Sequence, residues 1–171
     1  LGDVYKRQEK LDLKNLTPDI ATDGIEISSP DINRPALQLA GYFEHFACER
    51  VQIIGYVEYT YLKNQDKEEK LKNYERFMSS KIPCVIYASR TEPDEEMYEM
   101  ARKYHKPLLF SNRMTSPLMA EVIRWLNVEL APCISIHGVL VDVYGEGVLI
   151  TGESGIGTVS YTHLRAHETS Q

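Results

Sequence analysis

Between about residue 50 and residue 130, short apolar runs alternate with helix-length amphipathic stretches, and that alternation leaves few folds open. The run from Arg50 to Ile54 leads as a strand. Residues 66–80 then carry acidic followed by basic side chains, with Leu71, Tyr74 and Met78 on one helical face and Glu68 and Lys72 at i,i+4. Cys84-Val85-Ile86-Tyr87, flanked by Pro83 and Ser89, has the unbroken apolar pattern of a strand buried on both faces. Pro93 opens a helix whose Met97, Met100, Ala101 and Tyr104 lie at helical spacing, and Pro107 to Phe110 is a further short strand. Ser116-Pro117 starts a third helix, directing Leu118, Val122, Leu126 and Leu130 or its neighbours inward. Strand and helix in turn predict a small α/β domain with a mainly parallel sheet. Ahead of it, Glu26 to Ser28 is a candidate strand, and Ala36 to Phe46 a candidate helix with Pro35 at its first turn and Asp31 or Asn33 before it.

Pro132 closes this domain, and the texture then changes. Cys133 to Val143 and Gly147 to Thr151 are β-rich and joined by the turn-like Tyr144-Gly145-Glu146-Gly147, the expected opening hairpin of a second domain. Gly152-Glu153-Ser154-Gly155-Ile156-Gly157 follows directly. Phosphate-binding loops read G-x-x-x-x-G-K-[ST]: backbone N–H groups cradle the phosphates, the lysine reaches the outer ones and the hydroxyl holds magnesium. Gly152 and Gly157 are in register with that pattern, but Thr158 and Val159 stand where the lysine and the hydroxyl belong. Bare glycine spacing also suits an ordinary turn; the preceding strand is what favours a phosphate loop.

The two ends of the chain bear on that mismatch. The first eight residues, Leu1 to Gln8, can be encoded by CTCGGAGATGTGTATAAGAGACAG. The reverse complement of that string, entered at the end of codon 158, reads Val159-Ser160-Tyr161-Thr162-His163-Leu164-Arg165. Both ends resemble a transposon-end sequencing adapter translated on opposite strands, and segments of that origin are set aside before fold reasoning. The expected division is therefore adapter over 1–8, an α/β domain over 9–131, the hairpin and half of a phosphate loop over 132–157, and adapter over 158–171.

The net charge of −6 disfavours a nonspecific nucleic-acid binder, which needs a basic face. No run approaches the ~18 apolar residues of a membrane span and no N-terminal signal pattern is present, so a cytoplasmic protein without membrane association is expected. Cys48, Cys84 and Cys133 are odd in number and widely spaced, the usage of reduced packing thiols, and no metal-ligand set stands out. His137, in Ser135-Ile136-His137-Gly138, is either a surface or hydrogen-bonded strand residue or a proton-transfer group beside phosphates, for which an imidazole of ordinary pKa about 6.5 is suited. Asp142 reads as a solvated strand residue. Arg34 and Arg50 could fork onto phosphate or carboxylate, but structural ion pairing or helix capping is the reading preferred for them. Tyr42, Phe43 and Phe46 read as core, and the Asp66 to Lys72 charges as a solvated helix face.

Three blocks, Ile32-Asn33-Arg34-Pro35, Ala40-Gly41-Tyr42-Phe43 and Glu49-Arg50-Val51-Gln52-Ile53-Ile54-Gly55, resemble the N-terminal domain of the bacterial HPr kinase/phosphorylase family. Leu130-Ala131-Pro132, then Ile136 to Gly145, then Gly147 to Gly157 resemble the start of that family's kinase domain. The resemblance implies a bifunctional enzyme that phosphorylates a serine of HPr, the phosphocarrier of the sugar phosphotransferase system, with ATP or pyrophosphate, and removes that phosphate by phosphorolysis. It further implies magnesium, a homohexamer and a place in carbon catabolite repression. By position, Gly152, Glu153, Ser154, Gly155, Ile156 and Gly157 would form the first part of the ATP loop, and His137 would match the active-site histidine. Phosphoryl transfer depends on the lysine, the hydroxyl and downstream acidic residues that this chain lacks, so the chain by itself is expected to be inactive. Two rivals stay open: another P-loop phosphotransferase, which would lack the Asn33 to Gly55 blocks, and a non-catalytic α/β binding module.

Overall fold

A computed structural model describes residues 12–132 and 138–151, with side chains described at 140–149 of the second stretch. The chain divides into two units, 1–131 and 132–171. In the first, β1 (Leu13–Asn15), β2 (Ile32–Asn33), α1 (Ala36–Leu39), β3 (Val51–Ile54), α2 (Tyr56–Asn64), α3 (Lys67–Met78), β4 (Val85–Tyr87), α4 (Glu95–Tyr104), β5 (Leu108–Ser111) and α5 (Thr115–Glu129) follow one another. The sheet order is β1-β5-β4-β3-β2. β2, β3, β4 and β5 are parallel, and β1 adds antiparallel to the β5 edge. The expected α/β architecture with a mainly parallel sheet is what the chain adopts.

The sheet separates two apolar layers because successive strand side chains alternate sides. Ile54, Val85, Tyr87 and Leu108 pack with Leu39 of α1, Leu62 of α2, Tyr74, Phe77 and Met78 of α3, and Met97 and Ala101 of α4. Val51, Ile53, Ile86 and Leu109 meet Leu118, Val122 and Leu126 of α5 on the opposite face. β4 is buried throughout, as its unbroken apolar run predicts. Gln52 is polar and fully buried in β3, and every group on it has a partner: its Nε2 donates to the carbonyls of Ala47 and Arg50, and its Oε1 accepts from Asn33 Nδ2 at 2.8 Å.

Several local expectations are corrected. Glu26 to Ser28 forms no strand; the edge partner of β3 is Ile32–Asn33. The helix expected over 36–46 stops at Leu39, because Gly41 takes φ +95° beside the Asn73 amide, while Gln65 and Asn73 donate to the Leu39 carbonyl. Phe43 and Phe46 do pack on the core, but Tyr42 is exposed. α2 occupies a segment to which the sequence assigned no element: Tyr56, Tyr59 and Tyr61 with Val57 and Thr60 read as strand formers. α4 is capped by Asp94, whose Oδ1 accepts from the Met97 N–H, so Pro93 lies just outside the helix. α5 begins at Thr115, and Leu130 at its end is exposed.

In the second unit, β6 (Gly138–Val143) and β7 (Glu146–Thr151) form an antiparallel hairpin with Gly138 opposite Thr151 and Val143 opposite Glu146. Tyr144 and Gly145 both have positive φ, 55° and 85°, the requirement of a type I′ turn. The turn is therefore two residues long, shorter than the four-residue connection expected. Asp142 fixes it by accepting the Gly145 N–H at 2.8 Å.

Candidate functional site

Parallel strands point all their carboxyl ends one way, and the loops leaving those ends form the usual ligand crevice of an α/β sheet. Here β4 leaves through Ser89, Arg90 and Thr91, and β5 through Asn112 and Arg113. Backbone bonds tie the loops together: the Ala88 N–H donates to Ile54 O at 3.0 Å and the Ser89 N–H to Arg113 O at 2.8 Å. Thr91 is buried and anchors its loop by a 2.6 Å hydrogen bond from Oγ1 to the Ala88 carbonyl. Arg90, between these two anchors, has φ +66°.

A cavity of about 740 Å³ opens beside these loops. Arg90, Thr91, Glu92 and Asn112 line it from the loops, Lys14 and Phe110 from β1 and β5, and Tyr59 and Tyr98 from α2 and α4. A smaller recess of about 100 Å³ shares Tyr59, Glu92 and Pro93 with it and reaches Tyr74 and Tyr87. Burial, reinforced by Asp94, holds the hydroxyls of Tyr74 and Tyr87 in their protonated form well above the ordinary range. Lys63 lies 4.4 Å from the centre of the Tyr59 ring, and a hydrogen bond to Tyr59 raises its pKa. Among the described residues, no ion pair within 4.0 Å engages Lys14 or Arg90. Nothing in the sequence reading singled out this cavity. Its lining comes from segments nearly a hundred residues apart, and only the isolated cations could have hinted at it.

Neither Arg34 nor Arg50, the described candidates from the sequence, lines this cavity. His137 and the loop Gly152, Glu153, Ser154, Gly155, Ile156 and Gly157 lie outside the described residues. Arg34 is engaged by Glu58, and Arg50 sits 3.4 Å from Asp31 and 3.5 Å from Glu49, so both are paired with carboxylates. In α3, Lys70 is half-buried and pairs with Asp94 at 2.8 Å, which takes it out of the otherwise solvated face. Among the described residues, Cys48 and Cys84 are free thiols, no group of three or more His, Cys, Asp or Glu could hold a metal ion, and no helix is long and apolar enough to cross a membrane.

Comparison with known proteins bears on the chain as a whole. The family model described as HPr Serine kinase N terminus matches residues 3–126, and that described as HPr Serine kinase C-terminal domain matches residues 128–164. A protein of Lachnoclostridium phytofermentans named HPr kinase/phosphorylase is 53% identical over 91% of this chain and 50% of its own length. Its namesake from Alkaliphilus metalliredigens is 46% identical over 90% of this chain and 50% of its own length. The chain thus spans about half the length of the curated relatives it matches. Among solved structures, the CBS and DRTGG domains of the regulatory region of Clostridium perfringens pyrophosphatase, complexed with diadenosine tetraphosphate, share the fold at a TM-score of 0.53. That match has 11% identity and covers 99% of this chain and 61% of the other.

Proposed function

This chain belongs to the HPr serine kinase family, and from that premise we propose that it supplies the N-terminal domain and the opening hairpin of a bifunctional HPr kinase/phosphorylase. The complete enzyme phosphorylates a serine of HPr with ATP or pyrophosphate and returns the phosphate to inorganic phosphate as pyrophosphate. It works in the cytoplasm as a homohexamer and serves carbon catabolite repression. The first domain, 9–131, acts in regulation or assembly, and residues 1–8 and 158–171 are translated adapter.

The observation that carries this reading is the order of strand and loop. β7 delivers the chain from Glu146–Thr151 straight to Gly152, the context a phosphate loop requires. Gly138 pairs with Thr151, and these are the residues bonded directly to His137 and Gly152, which supports a histidine and a phosphate loop at the same end of one hairpin. Leu140 and Leu149, directly opposite each other, are 71% and 54% exposed. A two-stranded hairpin with an uncovered apolar pair is marginal alone, which favours its being part of a larger sheet.

ATP with magnesium would supply the transferable phosphoryl group and the charge neutralisation. Thr158 and Val159 do not fit that group, since neither an ammonium nor a hydroxyl stands at the required position. The chain alone is therefore expected to be inactive.

The test joins these residues to the gene's own sequence beyond codon 157 and incubates the product with HPr, ATP and magnesium. Lysine followed by serine or threonine is expected in the gene, and seryl phosphate on HPr by mass spectrometry. Added inorganic phosphate should remove it with release of pyrophosphate. An unmodified HPr, or a gene that itself encodes Thr158-Val159 and ends there, overturns the reading.

A further inference from the structure

We propose that the cavity at the carboxyl ends of β4 and β5 is a binding site for a nucleoside phosphate. Its volume of about 740 Å³ lies within the range of small-molecule sites. Beside Asp12, a second carboxylate of the lining, the wall carries three chemistries that one such ligand satisfies together. Lys14 and Arg90 are cations without a carboxylate partner among the described residues, in a chain of net charge −6, and phosphate oxygens are the natural acceptors for a guanidinium fork and an ammonium. Phe110 presents an aromatic ring suited to the face of a planar base, and Tyr59 and Tyr98 add rings that carry Lys63 at 4.4 Å and Arg102 at 5.9 Å from their centres. Glu92 adds a carboxylate that can accept from ribose hydroxyls, as acidic residues do at other nucleotide sites of α/β sheets.

The backbone at Arg90 supports a role for its side chain. Its φ of +66° lies in the left-handed region that favours glycine, where a bulky residue is held under strain. Thr91 and Ser89 on either side hold the loop in place. Structure alone would be better served by glycine; an arginine at that position carries its guanidinium to the cavity wall.

That conformation also makes Arg90→Gly a clean test, because the substitution removes the charge while easing the backbone. The full 171-residue chain is titrated calorimetrically with AMP, GMP, CMP and UMP, and with adenosine and inorganic phosphate as partial ligands. At least one nucleotide should bind, more tightly than adenosine or phosphate alone. Arg90→Gly should weaken it tenfold or more while the melting temperature stays level or rises. Absence of nucleotide binding at millimolar concentration, equal affinity for inorganic phosphate, or equal binding by the variant would each overturn the proposal. The last outcome would put the nucleotide somewhere other than this cavity.

Discussion

Arg34 holds Glu58 across the gap between the β2–α1 connection and α2: its Nη2 lies 2.7 Å from Oε1 and 2.8 Å from Oε2 of a carboxylate only 2% exposed. The same Oε2 accepts the Gly55 N–H at 3.1 Å, so one buried acid closes the first turn of α2 and ties it to the chain ahead of α1. Removing Arg34 strands a buried carboxylate, and removing Glu58 takes away the acceptor of the Gly55 N–H while the 40% exposed guanidinium stays within reach of water. Glu58→Ala and Arg34→Ala are each expected to lower unfolding stability by about 2–4 kcal/mol in urea denaturation followed by circular dichroism. A loss below about 0.5 kcal/mol for both would mean that the pair contributes little.

Gly55 separates the N-termini of α2 and α5. A Cβ there would lie 2.7 Å from Thr115 Oγ1 and 2.9 Å from its Cγ2. Gly55→Ala should therefore cost about 1–3 kcal/mol through overpacking, and Thr115→Ala in the same chain should recover most of it. Additive losses in that double-mutant cycle would show that the two sites are not in conflict.

Asp94 does three things at once. Oδ1 caps α4 through the Met97 N–H, and Oδ2 accepts from Lys70 Nζ at 2.8 Å and the Tyr74 hydroxyl at 3.1 Å. Asp94→Ala should cost about 2–3 kcal/mol, whereas Asp94→Asn, whose one amide oxygen can keep the cap but whose amide nitrogen cannot accept from Lys70 or Tyr74, should cost less by the ~1 kcal/mol of the cap. Equal losses for the two variants would show that the charge on Asp94, rather than the cap, carries its contribution.

Cys84 is buried, and its thiol is pushed up to about 12 from 9.0 by loss of solvation. The unfolded chain gives up this proton near pH 9 while the native chain keeps it. The native state then binds more protons, so this thiol's contribution to stability declines as pH rises from about 9 to about 12. At pH 8, iodoacetamide with peptide mapping should modify the half-buried Cys48 well before Cys84, and denaturant should abolish the difference. Rapid labelling of native Cys84 would contradict its burial.

Much of the first domain was legible because local and tertiary signals agree there. The unbroken Cys84-Val85-Ile86-Tyr87 run becomes the central strand β4, and Leu118, Val122 and Leu126 at helical spacing become the buried stripe of α5. Where they disagree, packing overrides propensity. The tyrosines and Val57 of α2 favour a strand in isolation. The Gly55 N–H bound to Glu58 and the seat of Leu62 in the core make the segment helical. The apolar stretch from Ala36 to Phe46 promised a long helix, but Gly41 against Asn73 ends it after one turn.

The alternation of strand and helix, the hairpin pattern up to Thr151 and, through its motifs, the family are readable along the chain. These are carried by contiguous residues, whose spacing reports periodicity and chemistry directly. The pairing of Arg34 with Glu58, and the meeting of Lys14, Tyr59, Arg90 and Phe110 along one cavity, arise from the folded arrangement alone. Parallel strands are joined by long crossovers, so the loops at their carboxyl ends come together from distant parts of the chain, and no local pattern encodes what meets there.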